Sequence, residues 1–519
     1  MIVKLDVGTR PVPFHVALMP LALPLLAADA FRQYVPPTIA IWSIVVTWAL
    51  VLVSWAGLTV LTRNWRTSAI VVSLVGFGLF VDLVIARSSS VAASATRCAL
   101  WIGVGALSMV VGRPGRDAKS ATVTVNALAL IMCGGWGFGM ARDEVRGPTP
   151  SVKRGYLDSL PIRARPAQTP LPNIYVLVLD GYGRNDVLKR LYGYDDPLVE
   201  QLRARGFYVA DHAASNYCQT ALSLSSSLNL EYLAELLDSL PPDAMSRRAC
   251  GTLIASNRVF LAFRRAGYRI VAFASEYAMV RFNDVDERPH PPVYLTDFEN
   301  SLYDASPLRV LSGLSGLPAA WLPHQLRRYA VRWTLDRLTE QAASADQHPT
   351  LVFVHLLLPH PPFVFRPDGS YSPTHLPGRI DDGDHWRRAQ AGIGPTYERG
   401  YVDNARFLGD RLVPIIDALL DATSGPNVAL IMGDHGPGSR LHWEDLGASD
   451  VRERHGILLA MRFPEGDYSD LSPTITPINA MRTLLNRVLG AGLPLLDDRA
   501  YFSTWSHPYS LHEVTEQVR

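Results

Sequence analysis

No charged residue occurs between Arg32 and Arg63, and this gap constrains the fold more than any other feature of the chain. A helix needs about 20 consecutive apolar residues to cross the hydrocarbon core of a bilayer. The stretch PTIAIWSIVVTWALVLVSWAGLTVL inside the gap is longer than that. The sequence therefore predicts a membrane-crossing helix here.

Other parts of the first 142 residues have the same character, with one acid, Asp82, in 67–86 and with Arg97 close to one end of 92–112. The further predicted spans are residues 67–86, 92–112, 120–141 and 12–31. The last of these contains three prolines and also fits an interfacial or re-entrant segment. We predict five spans, and no clear cleavage site follows the first, so we expect it to be retained.

The positive charges of the short loops predict an orientation. With the N-terminus inside, Lys and Arg concentrate in the inner loops. The inner loops would carry Lys4, Arg10, Arg63, Arg66, Arg113, Arg116 and Lys119, against Arg32 and Arg87 outside. We therefore expect a multi-pass cell-membrane protein whose chain after about residue 142 is extracytoplasmic.

After the predicted helical bundle of residues 1–142, a Pro-rich linker is predicted over 143–172 and a folded domain over 173–519. Short apolar runs alternate there with helical patterns, which is typical of βαβ units and a mostly parallel sheet. The predicted strands are 173–179, 268–274, 350–358, 427–432 and 456–463, and the predicted helices are 185–205, 221–238, 257–266, 398–421 and 478–490.

Acids and imidazoles follow several of these strands. Asp180 follows the first, and Asp434 with His435 stands in GDHGPG after the fourth. In an open parallel sheet, sites form beyond the carboxyl ends of the strands. A lone Asp at a strand end is most often a turn or cap residue, but Asp and His together suit a divalent cation such as Zn²⁺ or Mn²⁺.

The stretch SNYCQTALSLSSSLN contains several hydroxyl groups and one thiol. Its pattern predicts a helix that begins near Thr220, where free N–H groups and the helix dipole favour anions. A threonine hydroxyl would complete the ligand set with Asp180, Asp434 and His435, and coordination would lower its pKa. The serines at 223–227 are predicted to be mainly structural.

These motifs, YVLVLDGYGR, NYCQTALSLSSSLN and LIMGDHGPG, resemble those of the alkaline phosphatase and sulfatase superfamily. The resemblance is greatest to membrane-anchored lipoteichoic acid synthases and phosphoethanolamine transferases, and it covers residues 173–465. It implies an α/β alkaline phosphatase-like domain, metal ligands Asp180, Thr220, Asp434 and His435, and Thr220 as the nucleophile. One tightly held divalent cation is expected, and a second could join during turnover, with Asp403 or Asp284 as its carboxylate.

The same resemblance gives substrate-binding roles to His360 in FVHLLLPHPPFVF and His455 in ERHGILLAMRFP. Either could donate a hydrogen bond to phosphate oxygens or protonate a leaving alkoxide. His355 is expected to be packed within its strand. The pattern Cys/Ser-x-Pro-x-Arg of usual sulfatases is not present around Cys218, and Asp180 stands where many lipid phosphotransferases have Glu.

The expected function is metal-dependent transfer of a phospholipid-headgroup phospho-moiety, through phospho-threonine, to an envelope glycan or glycolipid. The alternatives are a phosphodiesterase, phosphatase or sulfatase-type hydrolase, and a non-catalytic membrane-tethered binding module. The formal charge of +1 and the lack of a basic, aromatic-interleaved stripe argue against nucleic acid as a partner. Cys218 and Cys250 could form a disulfide in an exported domain or remain buried thiols.

Overall fold

The computed structural model describes two compact units, one of residues Met1–Gly147 with Ser301–Leu311 and one of Pro148–Asn300 with Ser312–Arg519. We call them the N-terminal and C-terminal units. The described residues are 12–18, 37–86, 100, 102–108, 122–127, 129–131, 150–158, 171–304, 321–344, 348–373, 382–389, 396–421 and 426–519. The domain boundaries predicted at residues 142 and 172 stay predictions.

The N-terminal unit contains α1 (His15–Leu18), α2 (Pro37–Thr62) and α3 (Trp65–Ala86). The turn between α2 and α3 is formed by Arg63, whose φ is +54°, and by Asn64. Asn64 caps α3, because its Oδ1 accepts a hydrogen bond from the N–H of Thr67 at 3.2 Å.

The five predicted membrane spans are not confirmed. Among the helices within the described residues, none combines the length and the apolar character that a bilayer crossing requires. The spans predicted at 12–31, 92–112 and 120–141 lie in part outside the described residues.

The C-terminal unit is built on a six-stranded sheet with the order β2-β6-β5-β1-β4-β3. Four neighbouring strands, β5, β1, β4 and β3, are parallel, while β6 runs antiparallel to both β5 and β2. The strands are β1 (Asn173–Leu179), β2 (Tyr208–Val209), β3 (Arg269–Ala272), β4 (Thr350–Leu356), β5 (Asn427–Gly433) and β6 (Leu459–Arg462). A separate hairpin pairs β7 (Tyr501–Phe502) with β8 (His512–Glu513). The mostly parallel sheet and all five predicted strands are confirmed.

Thirteen helices accompany these strands in the described part of the C-terminal unit. They are α4 (Asn185–Tyr192), α5 (Pro197–Ala204), α6 (Thr220–Ser227), α7 (Leu233–Leu236), α8 (Arg248–Ala255), α9 (Arg258–Arg265), α10 (Asp297–Asp304), α11 (Trp321–Ala343), α12 (Gly383–Ala389), α13 (Tyr397–Asp421), α14 (Val451–His455), α15 (Pro477–Leu489) and α16 (Thr515–Val518). The helix predicted over 185–205 is two helices, because Gly193 ends α4 in the left-handed conformation and Pro197 begins α5. Helices α8, α10, α11, α12, α14 and α16 were not predicted.

Every residue of β1, β4 and β5 is buried, as expected for parallel strands covered on both faces. A large apolar cluster joins these strands to α5, α11 and α13, and includes Leu177, Leu335, Leu408 and Ile415. Helix α13 also passes close to the chain after β4, where Gly400 lies against the ring of Phe363. The core therefore fixes the strands whose carboxyl ends carry the predicted site.

We expect Gly400→Ala to lower the free energy of unfolding by about 1–3 kcal/mol, because a Cβ at this position would overlap the Phe363 ring. Gly409→Ala in the same helix is the matched control. Its Cβ would meet only Leu198 Cβ at 3.7 Å, so the helix gains up to about 1 kcal/mol from losing a glycine. Thermal unfolding of the full-length chain measures both changes, and equal Tm values for the two variants would contradict the packing argument.

Candidate metal centre

Strand register places the two predicted carboxylate ligands side by side. Leu179 of β1 pairs with Gly433 of β5, so the next residues of the two strands, Asp180 and Asp434, emerge at the same edge of the sheet. Both side chains are buried, with relative exposures of 1% and 0%. The sheet therefore brings the ends of β1 and β5 together, as predicted.

Tight turns hold the carboxylates in place. Gly181 has a φ of +74°, which favours glycine, and its N–H donates to Asp434 Oδ1 at 3.1 Å. The carbonyl of Gly181 accepts a hydrogen bond from the Tyr401 hydroxyl of α13 at 3.0 Å. The turn after β1 is thus tied both to the turn after β5 and to the helix behind it.

His435 faces both acids through one ring nitrogen. Its Nδ1 lies 2.9 Å from the carbonyl oxygen of Gly436, so Nδ1 carries the proton and Nε2 presents a lone pair. Nε2 lies 3.4 Å from Asp180 Oδ1 and 3.5 Å from Asp434 Oδ2. Burial and the Arg454 guanidinium lower the pKa of His435, outweighing the two carboxylates, which keeps the imidazole neutral.

Three acceptor atoms therefore converge. Asp180 Oδ1 and Asp434 Oδ2 are buried and have no hydrogen-bond partner among the described residues. One ligand atom from each of Asp180, Asp434 and His435 falls within 4.8 Å of the others. Buried acceptors that face one another without a donor are costly unless a cation lies between them. The residues fit a divalent metal, and oxygen with imidazole nitrogen suits Zn²⁺ or Mn²⁺.

Thr220 also contacts Nε2 of His435. It is the first residue of α6, it is partly exposed, and its Oγ1 lies 3.0 Å from His435 Nε2. The start of a helix offers free N–H groups and a positive dipole end, which stabilise anions. The structure thus brings all four predicted ligands, Asp180, Thr220, Asp434 and His435, to one place; their roles as ligands remain a proposal.

The neighbouring serines bond to the backbone. Ser225, Ser226 and Ser227 donate to carbonyl oxygens three residues earlier in α6, at 3.1, 2.9 and 3.4 Å. Ser223 differs, because its hydroxyl donates to the backbone carbonyl of Asp434 at 2.7 Å. It ties the helix that carries Thr220 to the turn that carries Asp434 and His435.

His355 lies behind Asp180, in β4. Its Nδ1 is 2.8 Å from Ser275 Oγ, and its Nε2 is 3.5 Å from Asp180 Oδ2. Burial raises the pKa of Asp180, but the neighbouring His360 and His355 outweigh burial and hold that pKa below its usual range. His355 is packed, as expected from its place in a strand, and it also faces the carboxylate from behind.

The two histidines predicted to bind substrate differ in their surroundings. The ring centroid of His360 lies 6.1 Å from that of His435, with Nδ1 2.8 Å from the carbonyl oxygen of Pro361. His455 has Nδ1 3.0 Å from the carbonyl oxygen of Ser215 and a buried Nε2. Burial lowers the pKa of His455 to about 4, so this imidazole is neutral. His360 is beside the candidate centre, whereas His455 is bonded to the segment before α6.

The two acids considered for a second cation are elsewhere. Asp284 forms an exposed ion pair with Arg264 at 3.2 Å, and Asp403 lies on α13. The carboxylate that faces His360 is instead Asp382, whose Oδ2 is 3.7 Å from His360 Nε2. Sequence reasoning missed Asp382, because nothing in RIDDGDHW separates it from its acidic neighbours.

Sequence reasoning also missed Arg454, which is buried between the site and Asp382. Its Nη2 is 3.2 Å from His435 Nε2, and its Nη1 donates to Asp382 Oδ2 at 2.5 Å. The only signal for Arg454 in the sequence is its position next to His455 in ERHG.

Cys218 and Cys250 are both buried free thiols and form no disulfide with each other, while Cys98 and Cys133 lie outside the described residues.

Solved structures similar to the chain were found, whereas no family model and no curated protein matches it. The periplasmic C-terminal domain of EptC from Escherichia coli is 14% identical over 68% of this chain and 96% of that domain, with a TM-score of 0.40. The soluble domain of lipooligosaccharide phosphoethanolamine transferase A from Neisseria meningitidis is 15% identical over 63% and 90%, with a TM-score of 0.39.

A protein in the alkaline phosphatase superfamily from Vibrio parahaemolyticus is 12% identical over 68% of this chain and 78% of that one, with a TM-score of 0.37. These structures are similar to the chain at low sequence identity and with TM-scores below 0.5, so the superfamily that the motifs predict stays a prediction. Similarities of this size leave activity and substrate to be argued from the side chains of the site.

We expect Asp434→Asn to weaken Zn²⁺ binding by more than about 100-fold, because it removes a ligand. His355→Gln should weaken binding less, by about 10- to 100-fold, as is usual for a residue that orients a ligand. Asp417→Asn, which breaks a surface ion pair with Arg205, is the control for exchanging a carboxylate for an amide. Calorimetric titration with Zn²⁺ measures all three, and an Asp434→Asn protein that binds Zn²⁺ like the control would exclude this centre.

Proposed function

We propose that the C-terminal unit transfers a phospho-moiety from a phospholipid headgroup to an envelope glycan or glycolipid, with Thr220 as the nucleophile. The observation that carries the proposal is the contact of Thr220 Oγ1 with His435 Nε2 at the start of a helix. The same nitrogen faces two carboxylate oxygens that have no hydrogen-bond partner in the described part of the chain. A hydroxyl placed among donor atoms for a cation is the arrangement that activates such a nucleophile.

Asp180, Asp434, His435 and Thr220 would hold one Zn²⁺ or Mn²⁺, which when bound lowers the pKa of a coordinated hydroxyl and offsets negative charge on phosphate. Thr220 Oγ1 attacks the phosphorus, the bond from phosphorus to the diacylglycerol oxygen breaks, and that oxygen takes up a proton. An acceptor hydroxyl then attacks the phospho-threonine ester and restores the Thr220 hydroxyl. The N-terminus of α6 stabilises the anionic groups in both steps.

His360 is the group best placed to act on the phosphate. Its Nδ1 is held by the carbonyl of Pro361, so only Nε2 can reach a ligand. The carboxylate of Asp382 lies beside that nitrogen, with Oδ2 3.7 Å away. With a hydrogen on Nε2, His360 would donate to a phosphate oxygen or protonate the leaving alkoxide.

The N-terminal unit is proposed to keep this domain at a membrane, with the catalytic domain extracytoplasmic. The support is the charge-free stretch between Arg32 and Arg63 and the distribution of Lys and Arg over the short loops. Helix α2 also leaves large apolar side chains exposed, among them Leu50, Val53, Val60 and Leu61. A membrane would bring the phospholipid donor and the enzyme to the same surface.

We expect Thr220→Ala to reduce turnover by about 10³-fold or more while the protein still binds metal through its other three ligands. The assay incubates the full-length protein with labelled phosphatidylethanolamine or phosphatidylglycerol and measures diacylglycerol release with and without a sugar acceptor. Ser226→Ala is the control, because it removes a hydroxyl that donates to the carbonyl of Ser223 within the same helix.

Mass spectrometry of the peptide containing Thr220 would show an adduct whose mass identifies the transferred group. Release of diacylglycerol that does not depend on the sugar would indicate a hydrolase, and cleavage of an aryl sulfate would indicate a sulfatase. Full activity of Thr220→Ala would refute the nucleophile assignment. A purified protein that binds no metal would favour the non-catalytic binding module.

A further inference from the structure

A buried guanidinium lies next to the candidate centre. The side chain of Arg454 is only 2% exposed, and its Cζ lies 5.1 Å from the centroid of the Trp443 ring. Arg454 belongs to α14, which packs behind the turn after β5. An ionised side chain that is removed from water in this way is costly unless each charge and N–H finds a partner.

Most of its N–H groups are committed to the protein. Nε donates to the carbonyl of Cys218 at 2.8 Å, and Nη1 donates to the carbonyl of Gly436 at 3.1 Å and to Asp382 at 2.5 Å. These bonds fix the orientation of the guanidinium. They leave Nη2 directed toward the centre, 3.2 Å from His435 Nε2.

Two donors therefore approach a single lone pair. Thr220 Oγ1 and Arg454 Nη2 both lie within hydrogen-bond distance of His435 Nε2. A neutral imidazole offers one lone pair on that nitrogen, and a bound cation would use it. With the lone pair taken, the N–H of Arg454 needs another acceptor, and an anion bound near the Thr220 oxygen would provide one.

The same guanidinium occupies the place where a second cation would be sought. The acid facing His360 is Asp382, but its oxygens already accept from the Tyr397 hydroxyl at 2.6 Å and the Gly383 N–H at 2.8 Å, besides Arg454. A second cation held by Asp382 and His360 would have to displace a buried, fully oriented arginine. A fixed positive charge is thus already present at this position.

We propose that Arg454 binds a non-bridging oxygen of the phosphate group and supplies there the positive charge that a second metal ion would otherwise provide. The inference rests on the proposed phosphoryl transfer and names the residue that recognises its anion. Arginine suits this role because its planar charge forms directed bonds with phosphate oxygens. The site then works with one cation per chain.

The first test uses the unaltered full-length protein. Titration with Zn²⁺ in the presence of inorganic phosphate should saturate at one equivalent. Binding of a second equivalent that is lost in Asp382→Asn would overturn the inference, because it would place a cation where Arg454 is proposed to act.

The second test measures inorganic phosphate binding to the Zn²⁺-loaded protein by calorimetry. Arg454→Met should weaken phosphate binding by about 10- to 100-fold, as expected for loss of a hydrogen bond to a charged group, and Arg454→Lys should restore part of it. Since Arg454→Met leaves the Asp382 charge buried and unpaired, the double variant Arg454→Met/Asp382→Asn is measured beside it. Arg482→Met is the control, because Arg482 is an equally buried arginine, paired with Glu231 at 2.9 Å.

Phosphate affinity in the double variant that equals that of the control would overturn the inference, whereas unchanged Zn²⁺ stoichiometry with weakened phosphate binding supports it. The outcome is separable from that of the proposed function. Phosphate binding that depends on Arg454, without any turnover of phospholipid, would refute the transferase and keep the anion site. Turnover of phospholipid together with unaltered phosphate affinity in Arg454→Met would keep the transferase and refute the anion site.

Discussion

The pairing of β1 with β5 is the constraint on which the rest of the site depends. Parallel register brings Leu179 opposite Gly433. The residues that follow, Asp180 and Asp434, therefore lie side by side at the end of the two strands. Two carboxylates and an imidazole lone pair in a buried space repel one another and have lost their water. Strand pairing holds these groups together despite their repulsion, so a cation bound at this edge of the sheet would stabilise the fold.

The charges around that centre are arranged in layers. Asp180, Asp434 and His435 face inward, and the next layer contains His355 behind Asp180 and Arg454 beside His435. Burial would raise the pKa of Asp382, but Arg454 and His360 outweigh burial and hold it at about 2, so this carboxylate is ionised. Its negative charge balances the arginine. The buried guanidinium of Arg454, next to the carboxylates of the candidate centre, is thereby stabilised by Asp382 without a second metal ion.

Sequence reasoning found the parts of the site that local pattern determines. Strand runs that end in Asp180 and in Asp434 with His435 are visible in the sequence, and the carboxyl ends of parallel strands meet whatever the intervening chain does. Asp382 and Arg454 could not be found in this way, because they meet across 72 positions, one just before α12 and the other in α14. Helices α8, α10, α11, α12, α14 and α16 were also missed, since tertiary context decides whether such segments form helices.

Thr220 differs from its neighbouring hydroxyl groups through the residue that precedes it. Gln219 is held on both sides of its amide, since Oε1 accepts from Arg247 Nε and Nη2 at 2.9 and 2.7 Å, and Nε2 donates to Ser503 Oγ at 3.1 Å. Arg247 in turn donates to the carbonyl of Trp505 and stacks over its ring at 4.5 Å. The segment after β7 therefore fixes the first turn of α6. The later serines turn inward to backbone carbonyls, so only Thr220 combines a fixed position, partial exposure and contact with His435.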